Sequence, residues 1–138
     1  MQTRQQQDAR KIYCQVSKVD KNLATQYARA VYRFPLLVRI NGLQQTLGFY
    51  MGKAASDSGE GEECFLKHLC ELLRGVDYSG LDHKVSGMEL EEYLYCSRRC
   101  LEVSIWYRRF VESVLKVDIT SGGAEASQGV KQEEAGDD

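Results

Sequence analysis

Apolar residues recur at steps of three and four along much of the chain, which is the spacing of one face of an α-helix. The first such stripe predicts an amphipathic helix over Arg4–Val19, and the next predicts a second helix over Leu23–Phe34. A proline disfavours helical backbone at the residue before it. Pro35 therefore predicts a bend after the second helix and a short third helix that begins at the proline.

The rest of the first two thirds of the chain alternates between helical stripes and turn residues. The predicted elements are, in chain order, a turn at Asn41-Gly42, a helix over Leu43–Lys53, a flexible loop over residues 54–61, a helix over Glu62–Arg74 and a turn-rich stretch over residues 77–87 with one helical turn near Leu81.

The last apolar stripe is the longest. Ser86 and Glu89 have the spacing of a capping box, which predicts that a helix opens there. The stripe then continues through Tyr93, Cys96, Cys100, Val103, Tyr107, Phe110, Val114 and Val117. About 30 residues at ~1.5 Å per residue would form a rod of roughly 45 Å. We expect this helix to be the spine of the domain.

These elements predict an all-α fold, a single-domain bundle of about five to seven helices with a long C-terminal helix. The sequence contains no alternating β-branched run and no two-residue hairpin signal. We assign residues 1–117 to the bundle domain. Residues 118–138 carry six acids and one lysine with almost nothing apolar, so we expect an acidic disordered tail.

The charges are separated along the sequence, although the net charge is only −2. Residues 1–53 hold nine lysines and arginines against two acids, and residues 54–138 hold nine against eighteen. Such a basic half could seat a phosphate backbone. A solvated helix surface would explain the same split.

The chain shows no motif that marks an enzyme. No phosphate-binding glycine loop, dinucleotide fingerprint, zinc-protease helix or nucleophile elbow occurs, and there are only two histidines. Cys64 and His68 with Cys96 and Cys100 could in principle surround a zinc ion. The two later cysteines fall on the core stripe, however, where a thiol behaves as a small apolar group. We predict a protein that is not an enzyme and has no cofactor and no metal.

No apolar run approaches the ~18–20 residues that span a bilayer. The first residues, Met1 to Asp8, contain no apolar signal-peptide core. We therefore expect a cytoplasmic protein with no membrane partner, whose five cysteines remain thiols.

Three stretches resemble a known family. They are Ala9-Arg10-Lys11-Ile12-Tyr13, the stretch from Phe34-Pro35 through Asn41-Gly42-Leu43 to Tyr50, and Tyr95–Val114, which contains Leu101-Glu102-Val103-Ser104-Ile105-Trp106-Tyr107-Arg108-Arg109-Phe110. In this order they are similar to the small α-helical subunit of the RAMP-module (Cmr) effector of type III-B CRISPR systems. The Phe34–Tyr50 stretch is the most specific of the three. We expect its apolar side chains to fasten the corner at Asn41-Gly42 onto the long helix, namely Phe34, Leu37, Ile40 and Leu47.

The resemblance implies a non-catalytic subunit of an RNA-guided effector complex. Its implied partners are the backbone RAMP subunit, other copies of itself in a minor filament, and guide RNA and target RNA, whose backbone it would contact without sequence readout. The candidate RNA-binding residues are the cations Lys18, Lys21, Arg29, Arg33, Arg39, Arg98, Arg99, Arg108 and Arg109. The alternative is a helical protein–protein adaptor with no nucleic-acid role.

Overall fold

The computed structural model describes residues 1–73 and 75–117. Over these residues it contains six α-helices and no strand, so the predicted all-α bundle is confirmed. The helices are α1 (Arg4–Ser17), α2 (Ala24–Asn41), α3 (Leu43–Ala54), α4 (Glu60–Leu72), α5 (Leu81–Ser86) and α6 (Leu90–Phe110). The acidic tail predicted over residues 118–138 lies outside the described residues.

Short segments of other helix types adjoin three of these helices. A 3₁₀ turn at Lys21–Leu23 leads into α2, another at Tyr78–Gly80 leads into α5, and a π-helical segment at Val111–Leu115 continues α6. The predicted long C-terminal helix is thus confirmed, and it ends at Lys116, whose φ of 59° is left-handed.

Aromatic side chains form the centre of the core. The Phe65 ring of α4 makes edge-to-face contacts with Tyr27 and Phe34 of α2, Tyr50 of α3 and Tyr107 of α6, with ring centroids 5.2–6.2 Å apart. All five side chains are at most 1% exposed. Edge-to-face pairs gain energy beyond the area they bury, so Phe65 joins four helices.

The buried tyrosine hydroxyls in this core are hydrogen-bonded. Tyr50 donates to the carbonyl of Ala30 at 2.6 Å, and Tyr107 donates to Oε1 of Gln15 at 2.6 Å. A buried hydroxyl without a partner would cost about 1–3 kcal/mol. These hydrogen bonds therefore hold Tyr50 against α2 and Tyr107 against α1.

The predicted break at Pro35 is wrong, because α2 runs without interruption from Ala24 to Asn41. A proline inside a helix removes one hydrogen bond and crowds the preceding turn. The helix continues because Val31, Phe34 and Val38, on both sides of the proline, are all buried in the core. Tertiary packing here outweighs the local preference.

Gly42 forms the junction between α2 and α3, as the Asn41-Gly42 signal predicts. Its φ of 87° and ψ of 162° lie in a region that is open to glycine almost alone. Its amide donates to the carbonyl of Val38 at 2.9 Å. The hydroxyl of Tyr93 in α6 accepts a hydrogen bond from the amide of Gln44 at 3.0 Å, which holds the corner against the start of α6.

The capping box predicted at Ser86–Glu89 is wrong. The Ser86 hydroxyl instead donates to the carbonyl of His83 at the end of α5, and Glu89 precedes α6 without a side-chain cap. A capping box occurs at the start of α1. There the side chain of Thr3 accepts from the amide of Gln6, and the Gln6 side chain accepts from the amide of Thr3.

Helix α6 lies between α1 and α2. The end of α2 meets the start of α6 at Gly42 and Tyr93, whereas Tyr32, in the middle of α2, meets Arg108 near the end of α6. The two helices are therefore antiparallel. Helix α1 packs on another side of α6, through Asp8 and Arg99. This arrangement leaves the outer faces of α2 and α6 side by side.

Candidate nucleic-acid interface

Eight of the nine predicted cations are exposed. They are Lys18, Lys21, Arg29, Arg33, Arg39, Arg98, Arg108 and Arg109. Helices α2 and α6 carry six of them, and the other two lie at the connection from α1 to α2. The antiparallel packing of α2 on α6 brings Arg108 against Tyr32, which lies on the stretch of α2 that carries Arg29 and Arg33.

Arg29 and Arg33 project from the outer face of α2. They are one helical turn apart, which places their Cβ atoms about 5–6 Å from each other. The opposite face of the helix holds Tyr27, Val31 and Phe34 in the core. Burial of that face fixes the helix rotation and therefore keeps both guanidinium groups towards solvent.

Arg108 joins this pair from α6. Its guanidinium carbon lies 5.4 Å from the centre of the Tyr32 ring, a cation–π arrangement. Tyr32 stands one residue before Arg33 and three after Arg29, and its hydroxyl donates to the carbonyl of Val117 at 3.4 Å. We call Arg29, Arg33 and Arg108 the Tyr32 arginine cluster.

The Tyr32 arginine cluster has no carboxylate partner within the described part of the chain. None of its three arginines forms an ion pair with an acid of residues 1–73 or 75–117. Three guanidinium groups on one surface supply forked donors that match phosphate oxygens. Such an arrangement can bind a polyanion without reading its sequence.

The other exposed cations extend this surface in two directions. Lys18 caps the end of α1 and Lys21 begins the 3₁₀ turn before α2. Arg39 lies in the last turn of α2, where the helix dipole favours a positive charge. Arg98 is exposed halfway along α6. These side chains lie outside the Tyr32 arginine cluster.

Arg109 belongs to a separate aromatic group between α1 and α6. Its guanidinium carbon lies 5.8 Å from the Trp106 ring, which stacks on Phe110 at 5.9 Å with an interplanar angle of 19°. Tyr13 of α1 meets Phe110 edge-to-face at 5.5 Å. The sequence places Trp106 beside Arg109, but it does not reveal the contact with Tyr13, which joins residues of distant parts of the chain.

The expectation that Arg99 is an exposed cation is wrong. Its two terminal nitrogens donate to both carboxylate oxygens of Asp8 at 2.6 and 2.7 Å, and the side chains of this pair are only 10% and 5% exposed. The hydrogen bond from Arg99 to Asp8 also raises the pKa of Arg99. Arg99 thus fastens α6 to α1 and is not available to a phosphate.

A sequence signal for this ion pair existed. Asp8 lies four residues before Ile12 and seven before Gln15, so it falls on the buried stripe of α1. An acid on the buried face of a helix needs a cationic partner, because burying an unpaired carboxylate has a large free-energy cost. The sequence did not indicate which arginine would supply that partner.

Several aliphatic side chains lie exposed on the same two helices as the arginines. Leu36 and Ile40 of α2 are 58% and 67% exposed, and Leu90 and Ile105 of α6 are 71% and 61% exposed. The prediction that Ile40 helps to fasten the α2–α3 corner is therefore wrong, because its side chain points to solvent. Arginine is enriched at protein interfaces, and the buried centre of such an interface is apolar.

Cys64, Cys70 and His68 lie in environments that favour their neutral forms. Burial raises the pKa of Cys64, and it raises the pKa of Cys70 to about 11. Burial lowers the pKa of His68, whose Nδ1 shares a 2.7 Å hydrogen bond with the Tyr27 hydroxyl. Sγ of Cys64 lies 3.9 Å from Nε2 of His68. The described residues contain no group of three or more potential ligands that could hold a metal ion.

No helix among the described residues has both the length and the apolar character needed to cross a membrane.

Fold and surface together define a small all-α domain with an arginine-rich outer face. The family described as CRISPR-associated protein (Cas_Cmr5) matches residues 4–114. The chain therefore belongs to the Cmr5 family of CRISPR-associated proteins, and the resemblance found in its sequence is confirmed.

Two comparisons with proteins of Thermus thermophilus agree with this family. The CRISPR system Cmr subunit Cmr5 of that organism is 29% identical over 117 residues, which cover 84% of this chain and 99% of the relative. The X-ray crystal structure of a CRISPR-associated Cmr5 family protein from the same organism matches with a TM-score of 0.69 at 28% identity. That match covers 82% of this chain and 98% of the other.

Proposed function

We propose that this protein is a non-catalytic structural subunit of an RNA-guided CRISPR effector, the Cmr complex. It stacks with other copies of itself into a minor filament beside the backbone RAMP subunits and contacts the backbone of guide and target RNA without reading its sequence. The observation that carries this proposal is the family match over residues 4–114. The curated relative, of which 99% is covered, is a Cmr subunit.

The RNA contact is supported by the Tyr32 arginine cluster and the exposed cations around it. Lys18, Lys21, Arg39, Arg98 and Arg109 would add contacts to those of Arg29, Arg33 and Arg108. Each exposed contact to a phosphate is weak and salt-dependent. Repetition along a filament would multiply such contacts, because each further copy binds at high effective concentration.

Contacts with other subunits are supported by the exposed aliphatic residues. Leu36, Ile40, Leu90 and Ile105 present apolar surface that a protein partner would cover. Fully burying a leucine or isoleucine side chain contributes about 1.5–3 kcal/mol. The same observation favours the second candidate function, a helical protein–protein adaptor with no nucleic-acid role.

A non-catalytic role is supported by the state of the groups that could otherwise react. A nucleophilic cysteine needs a depressed pKa and a nearby base, whereas burial raises the pKa of Cys64 beside His68. Burial also lowers the pKa of His68, so the pair favours a neutral thiol beside a neutral imidazole.

Affinity purification of the tagged protein from its own cells tests the proposal. We expect it to recover backbone RAMP subunits together with repeat-derived guide RNA, identified by mass spectrometry and RNA sequencing. Recovery of neither would contradict the proposal. Recovery of protein partners without RNA, unchanged by Arg29→Glu and Arg33→Glu, would instead establish the adaptor function.

A further inference from the structure

We propose that residues 118–138 of this chain bind the Tyr32 arginine cluster when no RNA is present, so that RNA must displace them to reach it. The acidic segment would act as a tethered substitute for a phosphate backbone. The contact within the chain does not depend on the proposed function. Its competition with RNA does rest on that function.

The described residues end at Val117, which lies beside Tyr32. The carbonyl of Val117 accepts a hydrogen bond from the Tyr32 hydroxyl at 3.4 Å, and the guanidinium of Arg108 lies over the ring of the same tyrosine. Asp118, the first acid of the segment, is the next residue in the sequence. The segment therefore starts beside Tyr32, the residue that Arg108 contacts.

The charges of the two partners are complementary. The segment carries one lysine, Lys131, and six acids: Asp118, Glu125, Glu133, Glu134, Asp137 and Asp138. The cluster offers three exposed guanidinium groups that pair with no acid of the described residues. By contrast, Asp8 and Glu102 of the bundle are already engaged by Arg99 and Arg4.

The length of the segment is sufficient to bring several acids onto the cluster. Four extended residues span about 13 Å, whereas Arg29 and Arg33 lie within about 5 Å of Tyr32 along the axis of α2. Glu125 is the eighth residue after Val117, and the four acids from Glu133 onward come 16 or more residues after it. Because the acids are tethered at this length, their effective concentration at the cluster is on the order of millimolar.

The family match ends at residue 114, so the segment lies beyond the part of the chain that the family describes. The contact would therefore be a property of this chain and not of the bundle that it shares with its relatives. Contacts between exposed charges are weak and are screened over about 10 Å at 0.1 M salt. An RNA strand with many phosphates would displace the segment, whereas a single stray anion would not.

The test uses the full chain in two charge-matched variants. One carries Glu133→Gln, Glu134→Gln, Asp137→Asn and Asp138→Asn, and the control carries Asp57→Asn, Asp82→Asn, Glu91→Gln and Glu92→Gln, which neutralise four exposed acids of the bundle. NMR of the arginine Nε–Hε groups reports the contact in RNA-free protein. Titration with an unstructured RNA of about 30 nucleotides at low and high salt, about 50 mM and 500 mM, reports the competition.

We expect the tail variant, and not the control, to shift the resonances of the Tyr32 arginine cluster at low salt and to bind RNA about threefold more tightly there. Both differences should vanish at high salt. Resonances that do not change in the tail variant would overturn the proposed contact, whatever the RNA titration shows. Resonances that change in a protein that binds no RNA in either form would support the contact and contradict the proposed RNA-binding function.

Discussion

At the scale of single residues, the Asp8–Arg99 pair is the most deeply buried ion pair between α1 and α6 among the described residues. Two short hydrogen bonds join the guanidinium to the carboxylate, and both side chains are nearly buried. Arg4 adds a second, more exposed ion pair to Glu102 of the same helix. A buried pair contributes little net energy when complete, but breaking it leaves an uncompensated charge.

We predict that Asp8→Asn lowers the free energy of unfolding by about 3 kcal/mol, because Arg99 keeps its charge in a buried position. Chemical denaturation measures the loss. Glu63→Gln is the control, since it breaks the exposed Lys67–Glu63 pair and should change stability by less than about 1 kcal/mol. Equal effects of the two substitutions would contradict the burial of the Asp8–Arg99 pair.

We expect His68 to make the stability of the bundle depend on pH. Burial lowers its pKa below the ordinary value of 6.5, and the charge of Glu71 opposes this only in part. In the window just below pH 6.5 the unfolded chain therefore binds more protons at this residue than the folded chain does. The free energy of unfolding must then fall as the pH falls through this window.

We predict that His68→Asn reduces this dependence, because asparagine can still share a hydrogen bond with Tyr27 but does not titrate. Urea denaturation at about pH 7 and about pH 5 should show a smaller stability loss for the variant than for the wild type. His83→Asn, which replaces an exposed histidine of α5, should keep the wild-type loss. If His68→Asn also kept it, His68 would not be the group responsible.

At the scale of elements, two glycines near one corner have opposite roles. Gly42 joins α2 to α3 with a φ of 87°, and a Cβ there would lie 3.5 Å from the Tyr93 hydroxyl. Gly48 lies inside α3, and a Cβ there would have no neighbour within 4 Å among the described residues. One glycine is required by the backbone, and the other only loosens its helix.

We predict that Gly42→Ala destabilises the protein by about 1–3 kcal/mol, because alanine strains that backbone conformation. Gly48→Ala should stabilise it by about 0.5–1 kcal/mol through higher helix propensity. Thermal unfolding of both variants checks the pair. If Gly48→Ala lowered the stability as much as Gly42→Ala does, the open space around Gly48 on α3 would be contradicted.

The elements themselves were largely predictable from the sequence. Apolar periodicity identified α1, α3, α4 and α6 to within a few residues, since burial of one face determines where a helix can form. The wrong predictions, a helix break at Pro35 and a capping box at Ser86, rested on local sequence signals that tertiary packing outweighed. Pro35 did not end α2, because Phe34 and Val38 on either side of it are buried in the core. Ser86 did not open α6, because it is the last residue of α5 and its hydroxyl donates to the carbonyl of His83.

At the scale of the whole molecule, the candidate interface was predictable only as a list of cations. The sequence indicated that Arg29 and Arg33 share a face, because both lie on one helix. It could not indicate that Arg108 joins them, since that depends on how α6 packs on α2. The same limit explains why Arg99 was placed among the exposed cations, although Asp8 of another helix binds it.

The central claim is that the arginine face of this Cmr5-family bundle contacts RNA backbone within its complex. The salt dependence of target-RNA binding by the reconstituted complex tests it most directly, with Arg29→Gln/Arg33→Gln compared against Lys53→Gln/Lys84→Gln, which neutralises two exposed lysines elsewhere. Loss of two phosphate contacts in each copy should reduce the slope of log affinity against log salt by about 1.4 for every copy in the complex of the arginine variant. The lysine variant should keep the wild-type slope, and equal slopes in all three complexes would contradict the claim.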